Sequence, residues 1–204
     1  AAKMMRGNQF FREIKENSWN AEVRIKEYAK FNTQVQVVCT VPVMFSYWAK
    51  PMDCLDVSRY LNDDIAELIS KYPKNYLGLG TIPMQDTELA IQELERCKEI
   101  GLQGIQIGSN INDLNLNEER FFPIFEACEK LSLSVLVHPW NMMGEKNIQR
   151  YWLPWLVGMP AETARAVCSM IFGGIFEKLP QLRVMFAHAG GSFLSTIGRI
   201  QHGF

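Results

Sequence analysis

The 204-residue sequence has no excess of positive charge, since 21 lysine and arginine residues stand against 22 aspartate and glutamate residues. Proteins that bind nucleic acid neutralise its phosphates with clustered lysine and arginine side chains. No basic stripe with interleaved aromatic residues occurs in this chain. A nucleic-acid partner is therefore not expected.

Long apolar runs are also missing. No stretch approaches the roughly 20 residues that cross a bilayer, and the first residues, AAKMMRGNQFFRE, lack the apolar core of a signal peptide. The five cysteines are an odd number, widely scattered, and none forms a C-x-x-C pair. These absences argue against a membrane protein, a disulfide framework and a cysteine zinc site, and they predict a cytoplasmic protein.

Several motifs that carry chemistry are absent as well. Neither G-x-G-x-x-G nor G-x-x-x-x-G-K-[ST] occurs, which removes the commonest nucleotide-binding sites. The chain has only three histidines, His138, His188 and His202, and contains no H-x-H or H-E-x-x-H. Because a catalytic zinc site uses about three protein ligands, two histidines by themselves do not complete one. His202 lies in a predicted helix tail, where a solvent-facing or structural role is expected.

What the sequence does contain is a repeated pattern of short apolar runs and amphipathic helical segments. Five predicted strands end near residues 41, 82, 108, 138 and 188, and each is followed by a predicted helix. This βα repetition indicates an α/β fold, either an open doubly wound sheet or a (β/α)8 TIM barrel, and the missing nucleotide motifs favour the barrel. A complete barrel takes about 250 residues. The chain is therefore predicted to be a partial barrel holding about five of eight strands.

The predicted domain organisation has two parts. Residues 1–20 form a hairpin or loop, interpreted as part of a small inserted segment, because QFFREIKENSW alternates poorly and contains a turn-prone Asn17-Ser18 pair. Residues 21–204 form the partial barrel.

Two of the predicted strands, in LSVLVHPW and LRVMFAHAGG, deliver a histidine at their carboxyl ends. Parallel α/β enzymes build their sites at this end of the sheet, and neighbouring strands lie about 4.8 Å apart. We therefore expect His138 and His188 to face a common pocket, each as a metal ligand or a general base. The alternative for each is a strand-end histidine that hydrogen-bonds a neighbouring carbonyl group.

Other candidates are aromatic and basic. Trp140, Trp152 and Trp155 all follow His138 in one loop, and they either cap the barrel core or form walls that hold a flat conjugated ligand. Arg12 and Arg199 are candidates for binding carboxylates, because guanidinium groups bind them bidentately. The alternative for both arginines is a surface charge.

With these residues in view, the chain resembles the aminocarboxymuconate-semialdehyde decarboxylase family of the amidohydrolase superfamily over nearly its whole length. The stretches that carry the resemblance are FREIKENSW, PVMFSYWAKP, LGLGTIPMQ, LVHPW, YWLPWLVGMPAET and GRIQHGF. The resemblance implies zinc-dependent, non-oxidative removal of a carboxylate from an unstable conjugated polycarboxylate semialdehyde in tryptophan catabolism through kynurenine.

The resemblance also implies roles for the two histidines. His138 corresponds to a zinc ligand, and His188 to the histidine that acts as acid or base beside the metal. The family's other ligands are an H-x-H pair on the first strand and an aspartate on the eighth, and neither is present in this chain. The resemblance therefore implies that the five predicted strands are strands two to six of the barrel.

Four further residues acquire roles in the same way. Arg12 corresponds to an arginine that binds a substrate carboxylate, and Arg199 to an arginine donated across a homodimer interface. Trp155 and Met142 correspond to positions in the pocket wall. The alternatives to the implied decarboxylase function are another hydrolase of the superfamily, a decarboxylase of aromatic acids, or an inactive partial barrel.

Overall fold

The computed structural model describes residues 1–204, with side chains described for residues 1–5 and 7–204. The strands are β1 (Ala2–Arg6), β2 (Gln9–Ile14), β3 (Gln36–Val38), β4 (Tyr76–Gly80), β5 (Gly104–Gly108), β6 (Asn110–Ile111), β7 (Leu114–Asn115), β8 (Ser134–His138) and β9 (Val184–Phe186). The helices are α1 (Ala21–Ala29), α2 (Pro51–Lys71), α3 (Thr87–Glu99), α4 (Phe122–Lys130), α5 (Met159–Phe172), α6 (Ile175–Lys178) and α7 (Phe193–Gly203). A π-helical turn, Pro154–Gly158, leads into α5.

Five strands form one parallel sheet in the order β3-β4-β5-β8-β9, which is their order along the chain. An open doubly wound sheet would reverse its strand order at a switch point, whereas a barrel adds strands in one direction. The uninterrupted order therefore confirms the prediction of a partial barrel.

The structure differs from the predicted elements mainly at their ends. Strand β3 ends at Val38 and β9 at Phe186, a few residues before the positions predicted from composition. The helix predicted after the strand that ends near residue 138 is divided into α5 and α6, because Gly174 takes a left-handed φ of 68°. The helix predicted after the strand that ends near residue 108 begins only at Phe122, after the β6–β7 hairpin and a short 3-10 turn.

The hydrophobic core lies between the sheet and its helices. The side chains of Ile105 and Ile107 on β5 and of Val135 and Val137 on β8 are fully buried in one cluster with side chains of α3 and α4. Burying a side chain of this size stabilises the fold by about 1.5–3 kcal/mol. Helix α3 packs so closely on β4 that a Cβ at Gly80 would lie 2.7 Å from Cys97 Sγ. These contacts hold the carboxyl ends of the strands in place.

A buried polar cluster ties α2 and α3 to the end of β4. The Oδ1 atom of Asn62 accepts from the backbone N–H of Thr81 at 2.8 Å, and its Nδ2 donates to Thr81 O at 2.9 Å and to Glu93 Oε1 at 2.6 Å. The fully buried Glu93 carboxylate also pairs with Arg59 at 3.3 Å and Arg96 at 2.9 Å. Glu93 thus stabilises the helical layer.

At the amino end, β1 and β2 form an antiparallel hairpin that turns at Gly7, where φ is 58°. A 3-10 turn, Glu16–Ser18, and the N-cap side chain of Asn20 lead from the hairpin into α1. Across the described structure, no helix combines the length and apolar character needed to cross a membrane.

Candidate functional site

The structure brings His138 and His188 together. His138 is the last residue of β8, and His188 lies two residues after β9, which pairs in parallel with β8. The two Nε2 atoms are 3.2 Å apart, and the imidazole rings meet edge to face with centroids 5.0 Å apart. The common location expected from the two strand ends is thus present in the fold.

Hydrogen bonding determines which ring nitrogen of His138 carries the proton and which one has a lone pair available to a ligand. Its Nδ1 lies 2.9 Å from the carbonyl oxygen of Pro139. A carbonyl only accepts, so Nδ1 carries the proton and Nε2 presents its lone pair towards His188. Burial lowers the pKa of His138, the Pro139 hydrogen bond opposes this effect, and the nearby His188 lowers the pKa further. A neutral imidazole with an outward Nε2 lone pair is the form that binds a metal ion.

His188 stands on a left-handed turn, residues 187–192, which we name the His188 turn. His188 and Ala189 have φ values of 57° and 54°, followed by Gly190 at 76° and Gly191 at 62°. Non-glycine residues held in this region cost about 1–3 kcal/mol each and cluster at functional sites. The turn ends the strand early and leaves His188 exposed to solvent, with its ring against His138.

One residue near the pair was not singled out from the sequence. Tyr47, in the loop after β3, is buried, and its hydroxyl accepts from the backbone N–H of Gly108 at 3.1 Å. Gly108 is the register partner of His138. The phenol therefore supports the strand end next to the histidines, and burial raises its pKa well above the usual value. The SYW tripeptide after β3 was the available signal in the sequence.

The three tryptophans have different environments. Trp140 packs against the core, with its ring edge-on to Phe45 at 5.8 Å. The residues Trp152 and Trp155 are 70% and 47% exposed, and their ring centroids lie 5.0 Å apart. Trp140 therefore caps the core, whereas the other two present aromatic surface.

Met142 lies beside the same π-helical turn as Trp155. A Cβ at Gly158, the last residue of that turn, would lie 3.1 Å from Met142 Cβ. The two residues proposed for the pocket wall thus lie on neighbouring segments.

The arginines and the third histidine lie apart from this arrangement. Arg12 is exposed on β2, with its guanidinium 5.0 Å from the Phe11 ring centroid, and Arg199 is exposed on α7. Within residues 1–5 and 7–204, neither arginine forms an ion pair with a carboxylate. His202 is exposed near the end of α7.

The histidine pair fits part of a metal site. His138 Nε2 offers a lone pair to a zinc ion, because its Nδ1 proton is held by Pro139 O. His188 Nε2 lies 3.2 Å from it, close enough to act beside the ion. Among the side chains that the structure describes, no three histidine, cysteine, aspartate or glutamate residues form a metal-binding group. The chain therefore provides imidazole donors of the right type but an incomplete set.

Comparisons with known proteins agree with this geometry. The chain is 60% identical, over its full length, to 2-amino-3-carboxymuconate-6-semialdehyde decarboxylase of Dictyostelium discoideum. It is 34% identical to the Caenorhabditis elegans enzyme of the same name over 98% of this chain. The 5-carboxyvanillate decarboxylase of Novosphingobium aromaticivorans, solved with manganese and 4-hydroxy-3-methoxy-5-nitrobenzoic acid, superposes with a TM-score of 0.82 at 26% identity.

These matches have a defined extent. The chain spans 57% and 63% of the two curated relatives, and the structural match covers 94% of this chain and 58% of the decarboxylase chain. The family model described as Amidohydrolase matches residues 50–202, which include both strand-end histidines. The family match, on a parallel sheet that brings His138 and His188 together, shows that this chain belongs to the amidohydrolase family.

Proposed function

We propose that the protein containing this chain catalyses zinc-dependent, non-oxidative decarboxylation of 2-amino-3-carboxymuconate 6-semialdehyde to 2-aminomuconate 6-semialdehyde, in tryptophan catabolism through kynurenine. The observation that carries this proposal is the His138–His188 pair, with Nε2 atoms 3.2 Å apart at the carboxyl end of a parallel sheet. The 60% identity to the Dictyostelium relative supports the choice of substrate. The proposal concerns the complete protein, since this chain spans about half of that relative.

His138 would hold the metal through Nε2, because its Nδ1 proton is donated to Pro139 O at 2.9 Å. The remaining ligands, an H-x-H pair and an aspartate, would come from outside this chain. Imidazole donors suit zinc among other divalent ions. When bound, the ion would supply Lewis acidity that draws electron density from the substrate.

His188 is proposed as the acid and base. Decarboxylation breaks the bond between a carbon and its carboxylate, carbon dioxide leaves, and the electron pair remains on the carbon. A proton must then be added to that carbon, and a positioned histidine transfers protons efficiently near pH 7. His188 Nε2 lies 3.2 Å from the His138 atom that would hold the metal, and its exposed ring can exchange protons with substrate and solvent.

The substrate's carboxylates are proposed to bind Arg12 and Arg199, and its conjugated chain to lie against Trp155 and Met142. Both arginines are exposed and free of carboxylate partners among the described side chains, as a substrate-binding arginine needs to be. We propose that Arg199 acts across a homodimer interface, since its exposed position on α7 is accessible to a second copy.

The test is an assay of the complete, zinc-loaded protein with the freshly generated semialdehyde, measuring carbon dioxide release and loss of substrate absorbance. We expect stoichiometric carbon dioxide, lost in His188→Ala and retained in His202→Ala, because His202 is exposed on α7. Turnover of an aromatic acid alone would identify the aromatic-acid decarboxylase alternative. Hydrolysis of an amide or lactone without carbon dioxide would identify the hydrolase alternative.

A further inference from the structure

A fully buried carboxylate on the first turn of α5, that of Glu162, joins two other segments of the chain to this helix. Its Oε1 accepts from Ser109 Oγ at 2.9 Å and Asn110 Nδ2 at 3.0 Å, just after β5. Its Oε2 accepts from the backbone N–H of Met143 at 3.1 Å. Arg165, one turn along α5, donates to Oε1 at 2.5 Å.

The Ser109–Asn110 pair extends this network to residues 139–143, which we name the His138 loop. The backbone N–H of Trp140 donates to Ser109 Oγ at 3.0 Å, and Asn110 Nδ2 donates to Trp140 O at 2.7 Å. Together with the bond from Met143 N to Glu162, these contacts hold both ends of the segment that contains Met142. The conformation of the His138 loop thus depends on the Glu162 network.

The same turn of α5 supports the His188 turn. Pro160 O accepts from the backbone N–H of Ser192 at 3.0 Å and from Ser192 Oγ at 3.2 Å. A Cβ at Gly191 would lie 2.8 Å from Thr163 Cβ, so the two backbones pack closely. The start of α5 therefore contacts the segments that follow both histidines, with Glu162 on the His138 side.

We propose that Glu162 is a positioning residue that sets the His138 loop, and with it the pocket wall at Met142, without touching substrate or metal. This inference rests on the proposed function for its effect on substrate binding. Five donor groups from four residues converge on the carboxylate, and only a group with two acceptor oxygens and no proton satisfies them all. An amide would turn an N–H2 group towards one of these donors and leave buried polar groups unpaired, which costs about 1–3 kcal/mol each.

The alternative is that Glu162 only stabilises the fold, as Glu93 does. Glu93 provides a matched control, because it is also fully buried and also pairs with an arginine one turn away, Arg96 at 2.9 Å. Its carboxylate lies between α2 and α3 and bonds Arg59, Asn62 and Arg96, which all belong to these two helices and not to the histidine segments. A purely structural role predicts the same consequences for both substitutions.

The experiment compares Glu162→Gln, Glu162→Asp and Glu93→Gln in the complete zinc-loaded protein. In Glu162→Gln we expect KM to rise about tenfold while kcat changes less than threefold and zinc content stays at the wild-type level, because the pocket wall moves and the metal ligand stays. Glu162→Asp keeps two acceptor oxygens and should recover part of the loss in KM. Glu93→Gln should lower thermal stability and leave KM within twofold of wild type.

Amide hydrogen exchange provides a measurement that does not depend on turnover. The Met143 amide should exchange at least tenfold faster in Glu162→Gln and at the wild-type rate in Glu93→Gln. Equal exchange or equal KM changes in the two glutamine variants would overturn the proposal, as would loss of zinc from Glu162→Gln. If wild-type protein released no carbon dioxide, the proposed function would fail, and Met143 exchange would still decide whether Glu162 sets the loop.

Discussion

His138 and His188 are separated by 50 residues in the sequence, yet their Nε2 atoms lie 3.2 Å apart. The two imidazoles are not equivalent. His138 is partly buried and held by the Pro139 carbonyl, whereas His188 is exposed on a left-handed turn. A fixed ring with an outward lone pair suits a metal ligand, and an exposed ring suits proton transfer with substrate or solvent.

This asymmetry predicts different effects of removing each histidine from the complete protein. His138→Ala should weaken zinc binding by more than the roughly 10–100-fold typical of outer-shell changes, because it removes a ligand. His188→Ala should abolish decarboxylation while the protein retains most of its zinc. Metal analysis after dialysis, together with the activity assay, measures both effects, and equal zinc loss in the two variants would contradict the division of roles.

The proposed homodimer predicts complementation between two variants. An Arg199→Ala chain and a His188→Ala chain should each be nearly inactive. In a mixed dimer, one of the two sites would contain wild-type residues at both positions, because Arg199 is contributed by the partner. Mixing the variants should therefore restore up to about a quarter of wild-type activity if subunits exchange at random. Heterodimers that form without recovering activity would place Arg199 outside the partner's site.

The lowered pKa of His138 predicts a pH-dependent stability of the metal-free protein. Between the folded-state pKa and the unfolded value of about 6.5, the unfolded chain binds more protons. The free energy of unfolding should therefore fall as pH drops below about 6.5. Urea denaturation at pH 7.5 and 5.5 should show a smaller loss in His138→Gln than in wild type, whereas His202→Gln should match wild type.

The backbone conformation of Gly191 allows the role of the His188 turn to be tested by substitution. Its φ of 62° with ψ of −131° is accessible to glycine almost alone, and an added Cβ would lie 2.8 Å from Thr163 Cβ. Gly191→Ala should lower the free energy of unfolding by about 2–4 kcal/mol, through backbone strain and overpacking. Gly198→Ala is the control, since nothing lies within 4 Å of a Cβ there and the residue is helical. Equal stabilities of the two variants in denaturant titrations would contradict this account of the turn.

Local patterns in the sequence were sufficient to predict the order of the strands in the parallel sheet and the positions of the two histidines near strand ends. The end of β5 at Gly108 was predicted correctly, because a glycine at the end of a short apolar run is a local signal. The end of β8 at His138 was also predicted, since Pro139 cannot continue the ladder. These features depend on residues close together in the chain.

Other features were decided only by tertiary structure. Strand β9 stops at Phe186 because the His188 turn packs against Pro160 and Thr163, which are remote in sequence. The sequence pattern also did not distinguish the core-packed Trp140 from the exposed Trp152.

Glu162 shows most clearly why some features of the site could not be predicted from the sequence. In the sequence it is one acidic residue in the GMPAET segment, and nothing local marks it as buried. In the fold its carboxylate accepts from Ser109, 53 residues away, and from the Met143 backbone, 19 residues away. The sequence by itself determined the five strands of the parallel sheet, their order and the placement of the two histidines near strand ends, through signals a few residues long. Burial and hydrogen bonding of Glu162 required the packed sheet and helices, because its partners come together only when β5, the His138 loop and α5 meet.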